Sequence, residues 1–326
     1  VTGGLAYTIF RSLKESARIE EESKVLEEKA TTTDQFDVLP PLDTLAIEVG
    51  YGLIPLVDIE QGGQLLDRIK SLRRQIASEL GIIVAPVHIQ DNMQLKPGEY
   101  NILLKGNEIA RGELMANYYL AMNPNDTDEK LDGIATREPT YGLPALWIKE
   151  EAKENALAKG FTVVDLATVL TTHLSEIIKR HSHELLGRQD VQQLLDTVKE
   201  THPKVVEELV PNLLPLGGVV QVLQNLLREQ VPIRDLLTIL ETLADWSPAT
   251  KDLEILTEHV RHALARTITR MHLTPEGNIA AIMLWHSLES AISEALQQTD
   301  HGSFLSLDPS VAQQMMNNLA ASLEKM

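Results

Sequence analysis

Residues 138–174 read EPTYGLPALWIKEEAKENALAKGFTVVDLATVLTTHL, and this stretch contains each kind of local structure on which the fold depends. The turn from Glu138 to Gly142 precedes a short apolar segment that predicts a strand ending near Ile148. A charged helix follows, then a strand at Phe161–Val164, and then a helix for which Asp165 is the predicted N-cap. These short elements in an irregular order predict an α+β fold rather than a parallel βαβ sheet.

Upstream of this stretch, apolar patterns predict a group of strands around one amphipathic helix. Residues 45–58 are strand-like, and Gly50 within them suggests a bulge or a close backbone approach. The helix is expected between Gly62 and Gly81, because apolar residues recur at helical spacing and Gly81 provides a C-cap. Further strands are predicted at 82–89 and 117–124, and a hairpin at 98–114 with its turn at Gly106 and Asn107.

Downstream of Asp165 the pattern predicts mainly helices. Prolines at first turns and acidic N-caps, including Asp190, mark where several of them begin. Residues 277–285 are apolar enough to predict a strand. The helices are expected at residues 166–186, 190 onward, 203–210, 218–229, 232–246, 252–271, 286–297 and 308–325.

Composition limits the classes of function. The chain has 326 residues and a net charge of −18, which opposes nonspecific binding to nucleic acid and to anionic membrane surfaces. Cysteine is absent, so disulfides, thiolate metal sites and a cysteine nucleophile are excluded. No apolar run is long enough to predict a transmembrane helix. Dinucleotide-binding, P-loop and serine-hydrolase motifs are also absent from the sequence, and no cofactor is expected.

The first 41 residues differ from the rest. Residues 1–10, VTGGLAYTIF, are apolar and fit either the end of a hydrophobic helix or a short buried segment. Residues 11–37 are rich in charge and lack a lasting apolar stripe, which predicts a solvated linker. Pro40 and Pro41 mark the end of this linker.

Two groups of polar residues invite a chemical interpretation. His181, His183 and Glu184 are not expected to hold a metal ion, because helix positions two apart point about 200° away from each other. No metal site is therefore predicted. His88 and Asp91 could form the acid–base pair of a hydrolase, but a strand that ends in a polar turn explains them equally well.

Tyr141 is a different kind of candidate, because it is an aromatic residue in a turn. Such a residue either packs at a domain interface or anchors a partner, since tyrosine brings a large contact area. The residue pattern alone leaves both interpretations open.

Several segments together resemble the cytoplasmic domain of the export-gate family of bacterial flagella and type III secretion systems. The resemblance runs from about residue 1 to residue 297, and its first motif is more similar to flagellar members than to injectisome members. The segments are EVGYGLIPLVD (48–58), LLDRIKSLRRQ (65–75), VHIQDNM (87–93), YGLPALWI (141–148), GFTVVDLATVLTTHL (160–174), LLGRQDVQQLLD (185–196) and VPIRDLLTILETLAD (231–245).

This resemblance implies an α+β protein of several subdomains: two small mixed α/β subdomains, a helical one and a C-terminal α/β one. Residues 1–41 would be the end of a membrane segment and a flexible linker. The first subdomain would comprise 42–116 and 166–185, and the second, 117–165, would be inserted into it. The third would span 186–265, and the fourth, 266–326, would be incomplete relative to the family.

The resemblance also implies a function that is not enzymatic. Nine copies would form a ring on the cytoplasmic side of the bacterial inner membrane, attached through an N-terminal half that is absent here. The ring would receive flagellar export chaperones with their substrates and contact soluble components of the export ATPase complex through the linker. An injectisome homologue with the same role is one alternative. A hydrolase with an inter-domain cleft is another, and the acidic charge argues against a third, an RNA-binding module.

The family's chaperone-docking dimple lies between the first two subdomains. Its acidic position falls on Glu138, its aromatic on Tyr141 and its threonine on Thr172. Val164 and Val169 are expected to line the floor of this dimple. Glu138 is expected to orient a polar contact at the rim.

Two further expectations come from the same resemblance. Gly50 falls on the glycine of the family's Glu-Val-Gly-Tyr motif, which implies a role in subdomain motion. At the dimple, Glu138 and Tyr141 replace the family's Asp and Phe, so the added hydroxyl is expected to alter chaperone preference.

Overall fold

The computed structural model describes residues 42–58, 62–124, 130–281, 283–299 and 302–323. The predicted linker, residues 1–41, lies outside the described residues. Contacts divide the chain into two units, with the boundary between Leu185 and Leu186. The first unit contains one mixed and one antiparallel sheet with helices, and the second is mainly helical, so the predicted α+β class is confirmed.

The first unit begins with a four-stranded sheet and a long helix. Its strands are β1 (Leu45–Val49), β2 (Val87–Asp91), β3 (Glu99–Leu104) and β4 (Asn107–Glu113), in the order β2-β1-β3-β4. The β1–β2 pair is parallel, and the other pairs are antiparallel. A 3-10 turn at Tyr51–Leu53, α1 (Ile54–Val57) and α2 (Leu65–Leu80) connect β1 to β2. As predicted, α2 buries its apolar stripe and ends at Gly81, which has a φ of 82°.

Three strand predictions in this region were wrong in their bounds. Strand β1 ends at Val49, and the chain continues through the 3-10 turn into α1, where Pro55 fits the first turn. Residues 82–86 have no regular structure, so β2 begins later than predicted. The hairpin turn is formed by Lys105 and Gly106, whose φ angles of 49° and 77° suit a two-residue connection.

A second four-stranded sheet follows. It contains β5 (Tyr119–Met122), β6 (Ile134–Arg137), β7 (Pro144–Ile148) and β8 (Thr162–Val164), in the order β6-β7-β5-β8, with every pair antiparallel. Helix α3 (Lys153–Ala158) connects β7 to β8, and its Ala156 belongs to a buried cluster with Ala121, Ile148 and Phe161. The predicted strands and helix of this segment are present, whereas β6 was not predicted.

The chain then returns to the first sheet through α4 (Leu166–Arg180). Asp165 is its N-cap, as predicted, and accepts the Thr168 N–H at 2.7 Å. Two ion pairs join this segment to α2: Arg68 with Asp165 at 2.8 Å and Lys179 with Glu79 at 2.7 Å. The hydrogen bond from Lys179 holds the pKa of the Glu79 carboxyl below its usual value. The helix ends at Arg180, with His181 as its C-cap before α5 (Ser182–Leu185), so the predicted single helix to residue 186 is interrupted.

The second unit consists mainly of helices. They are α6 (Arg188–Thr201), α7 (Pro203–Glu208), α8 (Leu216–Arg228), α9 (Leu236–Trp246), α10 (Leu253–Ala263), α11 (Ala265–Met271), α12 (His286–Ala295) and α13 (Pro309–Leu323), with the hairpin β9 (Leu296–Thr299) and β10 (Gly302–Leu305) before α13. Asp190 is not an N-cap: it is the third residue of α6, and its carboxylate accepts the N–H of the N-cap, Gly187, at 2.7 Å.

The predicted strand at residues 277–285 was wrong. The part of this segment that the structure describes makes only an isolated bridge between Leu273 and Ile279. Met283 and Trp285 are 88% and 85% exposed, so the apolar run finds no partner strand there. Within the described ranges, no single helix is long and apolar enough to cross a membrane. One bent pair, Pro203–Leu213 with Leu216–Arg228, meets those criteria only when its parts are joined.

Candidate functional site

A pocket of about 1000 Å³ opens in the first unit between the second sheet and α4. Strands β5, β7 and β8 supply one wall, the connection from β6 to β7 supplies the mouth, and α4 supplies the opposite wall. Its lining includes all the residues that the sequence analysis assigned to the dimple: Glu138, Tyr141, Val164, Val169 and Thr172.

The mouth of the pocket is formed by exposed apolar and aromatic side chains. Tyr141 is 65% exposed and Leu143 is 53% exposed, while Val169 at the floor is buried. Val164 is half-buried, and Thr172 is exposed on the opposite wall. An exposed aromatic beside an apolar cavity is an arrangement that accepts the apolar side chains of a partner.

The turn that carries Tyr141 is held by a closed set of hydrogen bonds. The Glu138 N–H donates to the Leu143 carbonyl at 2.8 Å, and the Gly142 N–H donates to the Glu138 carbonyl at 2.9 Å. Arg137 donates from its guanidinium to the Gly142 carbonyl at 2.7 Å. Gly142 has a φ of 70°, which a residue with a side chain rarely adopts.

Glu138 is buried, whereas it was expected to orient a polar contact at the rim. Its side chain is 5% exposed, and its carboxylate oxygens accept the N–H groups of Thr140 at 2.7 Å and Tyr141 at 2.8 Å. A buried carboxylate is stable only when such donors compensate its charge. The burial of Glu138 was not predicted from the sequence. A local signal does exist, because an acidic side chain commonly accepts the backbone N–H groups two and three residues later in a turn.

A buried polar pair lies beneath the site. The Tyr100 hydroxyl and the His173 Nδ1 are hydrogen-bonded at 2.7 Å, and His173 follows Thr172 on α4. Burial raises the pKa of the Tyr100 phenol, and the negative charge of Glu138 raises it further. Burial lowers the pKa of His173, while Glu138 opposes and Arg180 reinforces that change.

The hydroxyl of Tyr141, which the family's Phe would lack, reaches α4. It donates to Glu176 Oε2 at 3.5 Å, the long limit for a hydrogen bond. Glu176 also faces Arg180 at 3.7 Å. The hydroxyl thus makes a weak contact across the mouth of the pocket, while the ring remains mostly exposed.

A polar trough of about 680 Å³, which no sequence pattern predicted, also borders α4. It lies between α2 and α4, and Thr168 and Thr172 line both it and the apolar pocket. Arg68 holds one wall through its hydrogen bond to Asp165 and a short contact with Thr168. Only the spatial pairing of two helices distant in sequence creates this trough, so no local pattern could indicate it.

Gly50 lies outside the pocket, at the end of β1. A Cβ atom there would lie 2.0 Å from the Lys96 carbonyl oxygen and 2.9 Å from that of Pro97. The expected close backbone approach is therefore present. The other alternative, a bulge, is not present, because the β1 register with β2 and β3 runs without interruption to Val49.

The alternative chemical candidates are not brought together. His88 and Asp91 are exposed and three residues apart on the edge strand β2, so they point to opposite faces of the sheet. His181 Nδ1 is bonded to Glu184 at 2.7 Å. In the part of the chain that the structure describes, no group of three or more His, Cys, Asp or Glu residues could hold a metal ion.

The fold is that of cytosolic domains from type III secretion systems. The Chlamydia pneumoniae CdsV protein is 28% identical, with a TM-score of 0.78 and coverage of 87% of this chain and 84% of that chain. In a structure of the CdsV and CdsO protein complex, the match is 26% identical with a TM-score of 0.78, covering 87% and 83%. The nonameric EscV cytosolic domain shares the fold at 23% identity and a TM-score of 0.69, covering 87% and 82%.

The FHIPEP family model matches residues 1–326, and the chain belongs to the FHIPEP family. The flagellar biosynthesis protein FlhA of Bacillus subtilis (strain 168) is 45% identical over 98% of this chain and 48% of that protein. The chain therefore spans about half the length of this curated relative. The family resemblance read from the sequence motifs is confirmed.

Proposed function

We propose that this chain is the cytoplasmic docking platform of a flagellar type III export gate, and that its pocket binds export chaperones loaded with their substrates. The observation that carries this proposal is the pocket of about 1000 Å³, with Tyr141 exposed at its mouth and an apolar floor. An aromatic anchor beside a desolvated cavity is the usual form of a binding hot spot.

A flagellar role is favoured over an injectisome role by sequence identity. The FlhA protein of Bacillus subtilis is 45% identical, whereas the EscV cytosolic domain, which is described as part of a type III secretion system, is 23% identical. Among the described residues of the first unit no contact favours a hydrolase, since His88 and Asp91 diverge on β2. We assign the chain a binding function rather than an enzymatic one.

The same proposal includes assembly and further partners. The EscV cytosolic domain is nonameric, and this chain would likewise form a ring of nine. It would bind soluble components of the export ATPase complex, and the CdsV–CdsO complex provides a related example of partner binding. The ring would lie on the cytoplasmic side of the inner membrane. Light scattering of the chain over a concentration series tests assembly: a nine-copy particle supports it, and a monomer throughout contradicts it.

The docking role is tested by a charge placed at the mouth of the pocket. Leu143→Asp should weaken binding of a purified flagellar chaperone–substrate complex by about 1–3 kcal/mol, because a carboxylate would be desolvated on binding. Leu157→Asp is the matched control: Leu157 is 51% exposed in α3, against 53% for Leu143, and does not line the pocket.

Titration calorimetry measures both variants beside the unmodified chain. A loss confined to Leu143→Asp supports docking at the pocket. Equal affinities for the two variants would show that the complex binds elsewhere or does not use this surface.

A further inference from the structure

We infer that Glu138 is a positioning residue for Tyr141: its buried carboxylate holds the turn that presents the aromatic ring at the mouth of the pocket. Two experiments test the inference. The first, the geometric arm, concerns the free chain alone, and only the second, the binding arm, rests on the proposed docking function.

Access is the first argument. Glu138 is 5% exposed, whereas Tyr141, three residues later, is 65% exposed. A partner that covers the mouth of the pocket meets the tyrosine ring and Leu143 before it could reach the carboxylate. Glu138 lines the pocket, but both oxygens of its carboxylate already accept backbone N–H groups of the turn.

Occupancy of the carboxylate is the second argument. One oxygen accepts the Thr140 N–H at 2.7 Å and the other accepts the Tyr141 N–H at 2.8 Å. Bonds from N–H groups to an ionised acceptor are among the stronger ones in proteins. The Glu138 side chain thus fixes the backbone of the residue that carries the aromatic ring.

The surroundings of Glu138 are the third argument. Its negative charge acts on His173 and Tyr100, which are joined by a 2.7 Å hydrogen bond. Arg180, also on α4, lowers the pKa of the same histidine, whereas Glu138 raises it. Glu138 lines the pocket from the inserted sheet, and His173 belongs to the helix that forms the opposite wall.

The geometric arm uses Glu138→Gln in the free chain. A carboxamide has one acceptor oxygen, so its NH2 group would face one of the two backbone N–H donors. Amide hydrogen exchange at Thr140 and Tyr141, followed by NMR without any partner, should accelerate about tenfold or more. Glu151→Gln is the control. Glu151 is exposed in the connection between β7 and β8, so its replacement should leave both exchange rates unchanged. Unchanged rates in Glu138→Gln would overturn the inference.

The binding arm is a double-mutant cycle with a flagellar chaperone–substrate complex. Glu138→Gln alone should weaken binding about tenfold, but by less than about twofold when Tyr141 is already alanine, because coupled residues are not additive. Equal losses in both backgrounds would show that Glu138 contacts the partner itself. If Tyr141→Ala leaves affinity unchanged, the docking proposal fails, and the exchange rates still decide the role of Glu138.

Glu138→Asp keeps the experiment decisive if the glutamine variant does not fold. Aspartate commonly accepts from amides two and three residues later, so exchange protection and binding should both persist. Protection that persists while binding is lost would contradict positioning, because the turn would be intact and only the reach of the carboxylate would have changed.

Discussion

At the scale of single residues, the site depends on Glu138 and Tyr141 having opposite environments. The tyrosine ring is exposed because it lies at the tip of a turn closed by Gly142, whose φ of 70° bends the chain back toward β7. The acidic residue is buried because its carboxylate replaces water as the acceptor for two backbone N–H groups. Exposure of Tyr141 could be predicted from the turn sequence. Burial of Glu138 could not, since acidic residues are rarely buried without a partner.

His173 gives a residue-scale prediction on pH. Burial lowers its pKa from the usual value near 6.5, so the unfolded chain binds a proton more readily than the folded chain below that pH. The stabilising effect is complete above about pH 6.5 and is lost as the pH falls through the lower folded pKa. The free energy of unfolding should therefore decrease with acidification, and His173→Gln should make that decrease shallower.

Denaturant unfolding at several pH values checks this prediction. His286→Gln is the control, because its side chain is 94% exposed in α12 and should not change the pH dependence. Parallel pH profiles for the unmodified chain and His173→Gln would contradict the assignment of a neutral buried imidazole.

At the scale of elements, helices with a local signal were predicted more accurately than strands. Helix α2 shows its apolar stripe and its glycine cap within one segment, and both are present. Residues 277–285 have the apolar content of a strand, but a strand also needs a neighbour, which the sequence does not supply. The hairpin of β9 and β10 was missed, because its first residues continue a helical pattern. The shape of the pocket could not be predicted from a local pattern either, because β5 and α4, which line it, are distant in sequence.

Gly50 gives a prediction at the element scale. Its φ of −69° and ψ of 157° suit any residue, so only crowding against the Lys96–Gly98 connection requires glycine there. That connection lines a small cavity with β6 and Trp147 of the second sheet. We propose that Gly50 allows the two sheets to move relative to each other. Gly50→Ala should lower the free energy of unfolding by about 1–3 kcal/mol and change the scattering profile.

Gly217→Ala is the matched control for this change. Its Cβ would meet only the flexible end of Arg188, at 3.3 Å, and alanine favours helix α8. Denaturant unfolding and small-angle scattering compare the two variants. If Gly50→Ala matched the unmodified chain in both measurements, the proposed role in motion would be wrong.

At the scale of the whole molecule, every residue of the pocket belongs to the first unit. The predicted change to helical structure after Asp165 could be read from the sequence, because helix caps and periodicity are local signals. The boundaries of the four subdomains stay a prediction. The net charge of −18 matches a platform that binds proteins rather than nucleic acid, and it favours basic partner surfaces.

The central claim is that Tyr141 anchors a chaperone–substrate complex in the pocket, and titration calorimetry with Tyr141→Ala tests it most directly. The loss of the ring should weaken binding by about 1–3 kcal/mol. Tyr51→Ala is the matched control, because Tyr51 is 58% exposed in the same unit and does not line the pocket. A loss specific to Tyr141 is the predicted result, and an affinity equal to that of the unmodified chain would contradict the claim.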